Sequence, residues 1–323
     1  MAIEIKTTKQ IGLLQTFAKK IGATFDNGKI QIPPDKGFGY IYGLLLSNSI
    51  GVVIRDYSLF EDFTAIRNIH PNSPEKILMS FNNVFPSRMV DTTKKINIKT
   101  LPSIQITKGK LNFEDFYPRH TKYSSIFISI ESENLKTLIG STLENSILST
   151  IIKTEQTLLF EEMISPEIQK VAFAMVENRI PEDLQQLYFR LKAEELICLL
   201  FVELLKRENP ILTALNKMDV QKIYEIRDNL LQNLNTPPHL KNLAQTAGFS
   251  ESKLKRLFKQ IFGNSIFNYY QGFRMKEAAR LLKEKKMTVS EVGYEMGFSN
   301  LSHFTKVFEE HIGIKPKKYS SSI

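Results

Sequence analysis

The sequence contains one cysteine, Cys198, and no tryptophan. One thiol cannot form a disulfide within the chain, and it cannot supply a zinc site built mainly from cysteines. The five histidines include no His-x-His pair, and only His70 and His120 lie among the first 130 residues. We therefore predict no metal site, no cofactor and no catalytic residue, and we expect Cys198 to be buried in an apolar helix.

Long hydrophobic runs are also missing. The most apolar run, Leu196–Val202, is too short to cross a bilayer, and Met1–Gln10 lacks the apolar core of a signal peptide. A chain of 323 residues favours two domains. We expect a cytoplasmic protein without a membrane partner.

Positive charge is concentrated at one end of the chain. From Lys217 to the C-terminus there are 18 Lys and Arg against 10 Asp and Glu, which leaves 25 against 24 for the rest. A basic surface attracts nucleic-acid phosphates regardless of base sequence. The alternative is a basic face that only keeps the protein soluble, but that role does not explain why the charge is confined to one region.

The C-terminal stretch Val289–Tyr319 has the pattern of two short helices joined by a glycine turn. A first apolar face is followed by Gly297-Phe298-Ser299-Asn300, which combines a residue tolerant of positive φ with helix-capping residues. The inward positions of the second helix are Phe304, Val307, Phe308 and Ile312. This arrangement predicts a helix-turn-helix, whose second helix enters the major groove of DNA.

The pattern occurs twice. Gly248-Phe249-Ser250 repeats the later turn at an offset of 49, whereas Leu254, Leu257 and Phe258 match Phe304, Val307 and Phe308 at an offset of 50. Between the repeats, 267–284 predicts a helix of about 27 Å that separates the two groove-reading units. The inward positions of this helix are expected to be Phe267, Tyr270, Arg274, Ala278, Leu281 and Leu282.

These residues, together with the closing Lys315-Pro316-x-x-Tyr319, resemble the DNA-binding domain of the AraC/XylS transcription regulators over about Asp219–Tyr319. The resemblance implies a sequence-specific regulator of transcription, most often an activator, with double-stranded DNA and RNA polymerase as partners. The base-facing positions it implies are Ser252, Lys255, Arg256, Ser302, His303 and Lys306. Lys253, Lys259 and Lys283 are interpreted as phosphate contacts.

The N-terminal half predicts a different architecture. Alternating apolar residues and Pro- or Gly-rich turns over residues 1 to about 130 indicate short strands, and a cupin-like antiparallel barrel is what the resemblance implies. Residues of about 135–208 predict helices, with a Ser165-Pro166-Glu167 start. The all-round apolar segment Leu196–Val202 is either buried in its own domain or forms a homodimer interface, for which we predict Leu196, Phe201 and Leu205 as contact residues.

We therefore expect an α+β protein with an effector-binding and dimerisation domain at 1–210 and a linker at 211–218. A DNA-binding domain follows at 219–323, with helix-turn-helix units at 240–262 and 289–312. Two rivals remain. One is an architectural DNA-binding protein without a ligand, and the other is a DNA-repair enzyme, which would need activated thiolates.

The effector is a small molecule whose binding residues are unknown from sequence. The N-terminal half combines many aromatics with Arg55, Arg67, Arg88 and Arg119, which suits an aromatic anion. The helical segment also resembles the branch of the family that responds to the siderophore pyochelin, and this implies a ferric siderophore as a candidate.

Overall fold

A computed structural model of the chain describes residues 2–5, 10–46, 50–67, 75–84, 102–108, 113–140, 147–154, 156–177, 180–207, 215–284 and 287–321. The described residues fall into two compact units, one within residues 1–210 and one from residue 211 onward. None of the described helices is long and apolar enough to cross a membrane.

The N-terminal unit mixes strands and helices along the chain. Its strands are β1 (Ala2–Ile5), β2 (Phe25–Asp26), β3 (Lys29–Gln31), β4 (Gly37–Leu45), β5 (Ile50–Leu59), β6 (Phe63–Arg67), β7 (Lys76–Asn82), β8 (Ser103–Lys108), β9 (Phe113–Tyr117), β10 (Lys122–Glu131) and β11 (Leu158–Met163). Its helices are α1 (Gln10–Ile21), α2 (Ser132–Ile139), α3 (Ile147–Lys153), α4 (Pro166–Val176) and α5 (Glu182–Leu205). Helix α1 lies in the region predicted to be strands, and β11 lies in the region predicted to be helical.

Most strands form one large antiparallel sheet in the order β11-β8-β7-β10-β5-β4-β3-β2, and β1, β6 and β9 form a smaller sheet. The tight turn between β2 and β3 consists of Asn27 and Gly28, both at positive φ. Asn-Gly is the pair that a two-residue hairpin prefers, because its twist matches that of the flanking strands.

The predicted closed barrel is not what the described strands form. The large sheet is open: it runs from β11 to β2, and no pairing among the described residues joins these two ends. The β2 edge offers only Phe25 and Asp26 for pairing. A strand this short cannot supply the continuous ladder of hydrogen bonds that closure requires.

The two faces of the large sheet pack against different helices. Ile30, Ile41 and Val53 pack on one face against Phe17 of α1. The neighbouring residues along these strands point to the opposite face, because side chains alternate along a strand. There the Tyr42 ring meets the Phe189 ring of α5 with centroids 5.8 Å apart.

Helix α5 differs from the sequence prediction in two respects: two of the predicted dimer residues are buried, and the cysteine is exposed. Leu196 and Phe201 are buried in the N-terminal unit, so their side chains are not on a surface that a second copy meets, whereas Leu205 is exposed. Cys198 is exposed rather than buried. An apolar helix must be covered on several sides, but its composition does not say which residues are covered by its own domain.

The C-terminal unit is helical. Its elements are α6 (Lys217–Gln232), α7 (Leu240–Ala247), α8 (Glu251–Phe262), α9 (Ile266–Glu284), α10 (Val289–Glu295), α11 (Leu301–Ile312) and α12 (Pro316–Ser321). The Asn216 side chain caps α6 by accepting a hydrogen bond from the Asp219 N–H at 2.7 Å. Lys217 and Met218 therefore belong to a helix rather than to the predicted linker, and residues 211–214 lie outside the described part.

The two helix pairs explain the change of offset seen in the sequence. Ser250 caps α8 two residues after Gly248, whereas Asn300 caps α11 three residues after Gly297. The later turn thus has one extra residue before its second helix begins. Both second helices have 12 residues and end at a glycine with positive φ, Gly263 and Gly313.

A cation from the preceding helix holds each turn. Lys222 of α6 donates a hydrogen bond to the Ala247 carbonyl at 2.8 Å, and its Nζ lies 5.3 Å from the centre of the Phe249 ring. Arg274 of α9 donates through Nε to the Met296 carbonyl at 2.8 Å, and its guanidinium lies 3.9 Å from the centre of the Phe298 ring. The repeat therefore extends over three helices, α6–α8 and α9–α11.

Arg274 is more deeply buried than Lys222 and makes more hydrogen bonds. It is 3% exposed, a second guanidinium nitrogen also donates to the Met296 carbonyl, and Nη1 donates to the Gln271 side chain at 3.2 Å. Burial lowers the pKa of Arg274, although an arginine side chain stays charged at neutral pH. Removal of this side chain leaves a buried carbonyl without its donor.

We predict that Arg274→Met increases local opening of the second helix pair by about 5- to 150-fold, because an unsatisfied buried group costs about 1–3 kcal/mol. Hydrogen-exchange mass spectrometry on the full chain should detect faster exchange in α10 and α11. Lys222→Met is the matched control and should loosen only the first pair. Unchanged protection of α10 and α11 in Arg274→Met contradicts the anchoring role.

Candidate nucleic-acid interface

Helix α8 presents a polar and basic face because its other face is fixed in the core. Leu254, Leu257 and Phe258 are buried. The side chains between them, at Ser252, Lys255, Arg256 and Lys259, are exposed. Within the described part of the C-terminal unit, no hydrogen bond or ion pair engages the Arg256 guanidinium. Its donors are available to a partner.

Helix α11 repeats this arrangement. Asn300 accepts hydrogen bonds from the Ser302 and His303 N–H groups at 2.9 and 3.1 Å, which starts the helix at Leu301. Phe304, Val307 and Phe308 are buried, so Ser302, His303 and Lys306 are exposed. The Lys306 ammonium lies 4.0 Å from Glu310 on the surface, a distance at which the pair is weak.

The offset of 50 pairs the predicted base-reading residues. Ser252 corresponds to Ser302, and Arg256 corresponds to Lys306, because both second helices begin one residue after their caps. Lys255 corresponds to Thr305, whose hydroxyl is bonded to the Leu301 carbonyl at 2.9 Å. At the predicted base-reading positions, α8 therefore offers two cations, Lys255 and Arg256, whereas α11 offers one, Lys306.

The predicted phosphate contacts differ in their surroundings. Lys253 forms an ion pair with Asp219 at 3.0 Å, and its Nζ lies 4.6 Å from the centre of the Phe249 ring. This ammonium joins α6 to α8, a role that the sequence pattern did not reveal. Lys283 lies 5.6 Å from the centre of the Tyr319 ring, and Lys259 remains on the exposed face of α8.

The start of α9 contributes a feature that sequence reasoning missed. Phe267 was expected to face inward, but it is 53% exposed, and its neighbour Ile266 is buried instead. Lys255, Lys259 and Phe267 line a groove of about 360 Å³ beside α8. The helical period alone did not separate Ile266 from Phe267, because either residue fits the spacing to Tyr270.

The histidines that the structure describes do not converge on a metal site. His120 is exposed, with its ring 5.7 Å from the Phe60 ring, and His70 lies outside the described residues. Among the residues that the structure describes, no cluster of three His, Cys, Asp or Glu side chains could hold a metal ion.

Comparison with known proteins identifies relatives of the C-terminal unit. Residues 243–322 match a family model described as a helix-turn-helix domain. The probable transcription factor PqrA of Proteus vulgaris is 34% identical over 77 residues, which cover 24% of this chain and 63% of PqrA. The multiple antibiotic resistance protein MarA of Salmonella typhimurium is 30% identical over 101 residues, which cover 31% of this chain and 80% of MarA.

A solved structure is also similar. It is a transcriptional regulator with an AraC-type DNA-binding domain from Chromobacterium violaceum, with 28% identity, coverage of 33% of this chain and 96% of that chain, and a TM-score of 0.31. The paired helices with their glycine turns and the similarity to MarA over most of its length lead to one conclusion. This chain belongs to the AraC/XylS family of transcription regulators.

Proposed function

We propose that the protein is a sequence-specific, DNA-binding transcription regulator that reads DNA with α8 and α11. The observation that carries this proposal is the repeated exposed face: two 12-residue helices, each ending at a left-handed glycine, with buried positions that match and polar or basic residues at matching exposed places. The concentration of positive charge from Lys217 onward supports it. Two such helices on one side of a duplex would enter major grooves about 34 Å apart.

The geometry of the exposed side chains on α8 and α11 determines whether we assign them to bases or to phosphates. Arg256 has a planar fork that suits the O6 and N7 acceptors of guanine. Ser252, Lys255, Ser302, His303 and Lys306 complete the base-facing set. Lys259 contacts phosphate, which positions the protein without reading sequence. Lys253 contributes mainly by fixing α8 to α6 through Asp219.

The regulatory part of the proposal concerns the N-terminal unit. It senses a small-molecule effector, and the mode that the family resemblance implies is activation through contact with RNA polymerase. We propose that this unit is cupin-like only in the sense of an antiparallel sheet whose two faces pack against helices. No catalytic step is included. A switch requires the effector to favour one arrangement of the DNA readers over another.

We also propose a homodimer, formed by an exposed stripe on α5. The stripe comprises Leu184, Leu187, Leu191, Cys198, Val202 and Leu205. These positions follow the three- and four-residue steps of a coiled-coil seam along a helix of about 36 Å, except that the step from Leu191 to Cys198 is seven residues, with Glu194 and Glu195 between them. Pairs of opposite charge, such as Arg190 with Glu194 at 2.9 Å, flank the stripe. A second copy matches it in length and in balanced charge.

We predict that a fragment of residues 215–323 folds alone and binds duplex DNA. It starts at 215 because Leu215 is buried in this unit and Asn216 caps α6. Circular dichroism should show a cooperative helical transition, and affinity for DNA should fall steeply as salt rises, because counterions are released. An unfolded fragment contradicts the boundary, and salt-independent binding contradicts the phosphate contacts.

We predict that Arg256→Ala reduces discrimination between a duplex selected from a random pool and a scrambled duplex by about 5- to 150-fold, the equivalent of 1–3 kcal/mol. Arg256→Lys should lose most of this discrimination although it keeps the charge. Lys259→Ala is the control and should weaken binding to both duplexes alike. Equal losses on both duplexes for Arg256→Ala would remove its base-reading role.

We predict that Leu187→Glu or Leu191→Glu converts the full-length protein from dimer to monomer without unfolding it. These side chains are 56% and 55% exposed, so a carboxylate at either site disturbs only an intermolecular contact. Multi-angle light scattering measures the mass. Leu138→Glu, at another exposed leucine, should leave the dimer intact. Phe201→Glu should instead misfold, because Phe201 is buried. A monomeric wild type at tens of micromolar contradicts this assignment.

A further inference from the structure

The N-terminal unit contains a cleft of about 610 Å³ between the outer face of the large sheet and the α4–α5 pair. Small-molecule sites have volumes of roughly 300–1,000 Å³. The cleft lies on the opposite face of the sheet from the core formed with α1. It is therefore separate from the side of the sheet on which Arg55 donates to the Tyr117 hydroxyl at 3.4 Å.

Strand register explains the sheet side of the cleft. Lys29 lies opposite Tyr42, and Gln31 lies opposite Tyr40, across β3 and β4. Tyr42 in turn lies opposite Ile54 of β5. Residues directly opposite one another share a face of the sheet, so two phenols, an amide and an ammonium converge above an apolar floor.

Helices α4 and α5 form the other wall. Met175 and Phe189 are buried beside the floor, and Gln185 brings a second amide. The Tyr188 hydroxyl donates to the Ala174 carbonyl at 2.7 Å, which ties the two helices together. The cleft thus combines aromatic and apolar surface with several hydrogen-bonding side chains.

The charges and protonation states in the cleft exclude a strongly cationic or anionic site. Asp26 and Lys29 are register partners, so the lining carries one acid and one base. Asp56, next to Tyr40, is paired with Lys122 at 3.1 Å. Burial raises the pKa of Tyr40 and of Tyr42, so both phenols are neutral donors at physiological pH.

We propose that this cleft binds a neutral, hydroxyl-rich small molecule of about the size of a sugar, and that this molecule is the effector. The inference rests on the proposed function for its regulatory meaning but not for the site. Amides and phenols donate and accept hydrogen bonds with hydroxyl groups, and the faces of Tyr42 and Phe189 cover apolar C–H surface.

The same features disfavour the aromatic anion expected from the sequence. Arg55 is engaged by Ser125 at 2.9 Å and lies 4.0 Å from the centre of the Phe127 ring, on the other face of the sheet. Arg119 is exposed. Arg88 and the side chain of Arg67 lie outside the described part. No group of arginines within the described residues converges on the cleft.

The test uses the full-length protein and a panel of neutral monosaccharides and alditols at millimolar concentration. At least one compound should raise the melting temperature and bind in isothermal titration calorimetry, because a ligand that binds only the folded state stabilises it. Tyr42→Phe should weaken that binding about tenfold through the loss of one hydrogen bond. Gln185→Trp should abolish binding by filling the cleft, with unchanged circular dichroism.

Tyr117→Phe is the matched control, since it removes a phenol of β9 in the smaller sheet, on the other side of the large sheet from the cleft. Its binding should equal that of the wild type. Loss of binding in Tyr117→Phe but not in Tyr42→Phe overturns the site. Binding of no neutral compound overturns the ligand class, as does binding of a ferric catecholate siderophore or a long-chain fatty acid alone.

DNA affinity, measured with and without the bound compound, separates this inference from the proposed function. A compound that binds in the cleft and changes operator affinity supports both. Binding in the cleft without any change in DNA affinity supports the site and contradicts its regulatory role. A change in DNA affinity caused only by a siderophore or a fatty acid supports the sensor but overturns this assignment of the ligand.

Discussion

The C-terminal unit depends on one repeated interaction, a cation held over the phenylalanine of each helix-turn-helix turn. Lys222 donates a hydrogen bond to the Ala247 carbonyl and lies against the Phe249 ring. Arg274 donates to the Met296 carbonyl and lies against the Phe298 ring. The turn has a left-handed glycine, and its carbonyls lack helical partners. The cation satisfies one of these carbonyls and fixes the turn to the preceding helix. The angle at which the second helix emerges, and hence its exposed face, follows from this anchor.

The two anchoring cations differ in burial and in their number of hydrogen bonds, and this difference bears on DNA recognition. Arg274 is buried and bonds Met296 through two nitrogens, whereas Lys222 is only partly buried and makes one bond to Ala247. The more strongly anchored turn is also the longer by one residue. Its helix α11 carries Lys306 where α8 carries Arg256. In the proposed scheme the second pair is held more rigidly and reads bases less selectively, since a lysine lacks the planar fork.

The sequence predicts the C-terminal unit well because its signals are local. Glycine turns, capping residues and the 3.6-residue period each act within a few positions, and together they give the bounds of α7, α8, α10 and α11. The N-terminal unit depends on contacts between distant residues. Whether β11 joins β8, whether the sheet closes, and whether Leu196 is covered by its own domain are decided by packing partners far along the chain. The neutral cleft follows from the register of β3, β4 and β5, which periodicity alone does not supply.

Helix α5 connects the proposed sensing and pairing functions without a long pathway. Gln185 and Phe189 line the cleft, and Leu184, Leu187 and Leu191 lie among them in sequence on the exposed side. A ligand that bridges β4 and α5 therefore acts directly on the helix that carries the proposed dimer stripe. Allosteric coupling requires a ligand to favour one arrangement of an element over another. A helix with one face on the ligand and one on the second copy meets that requirement, because a small rotation about its axis changes both contacts together.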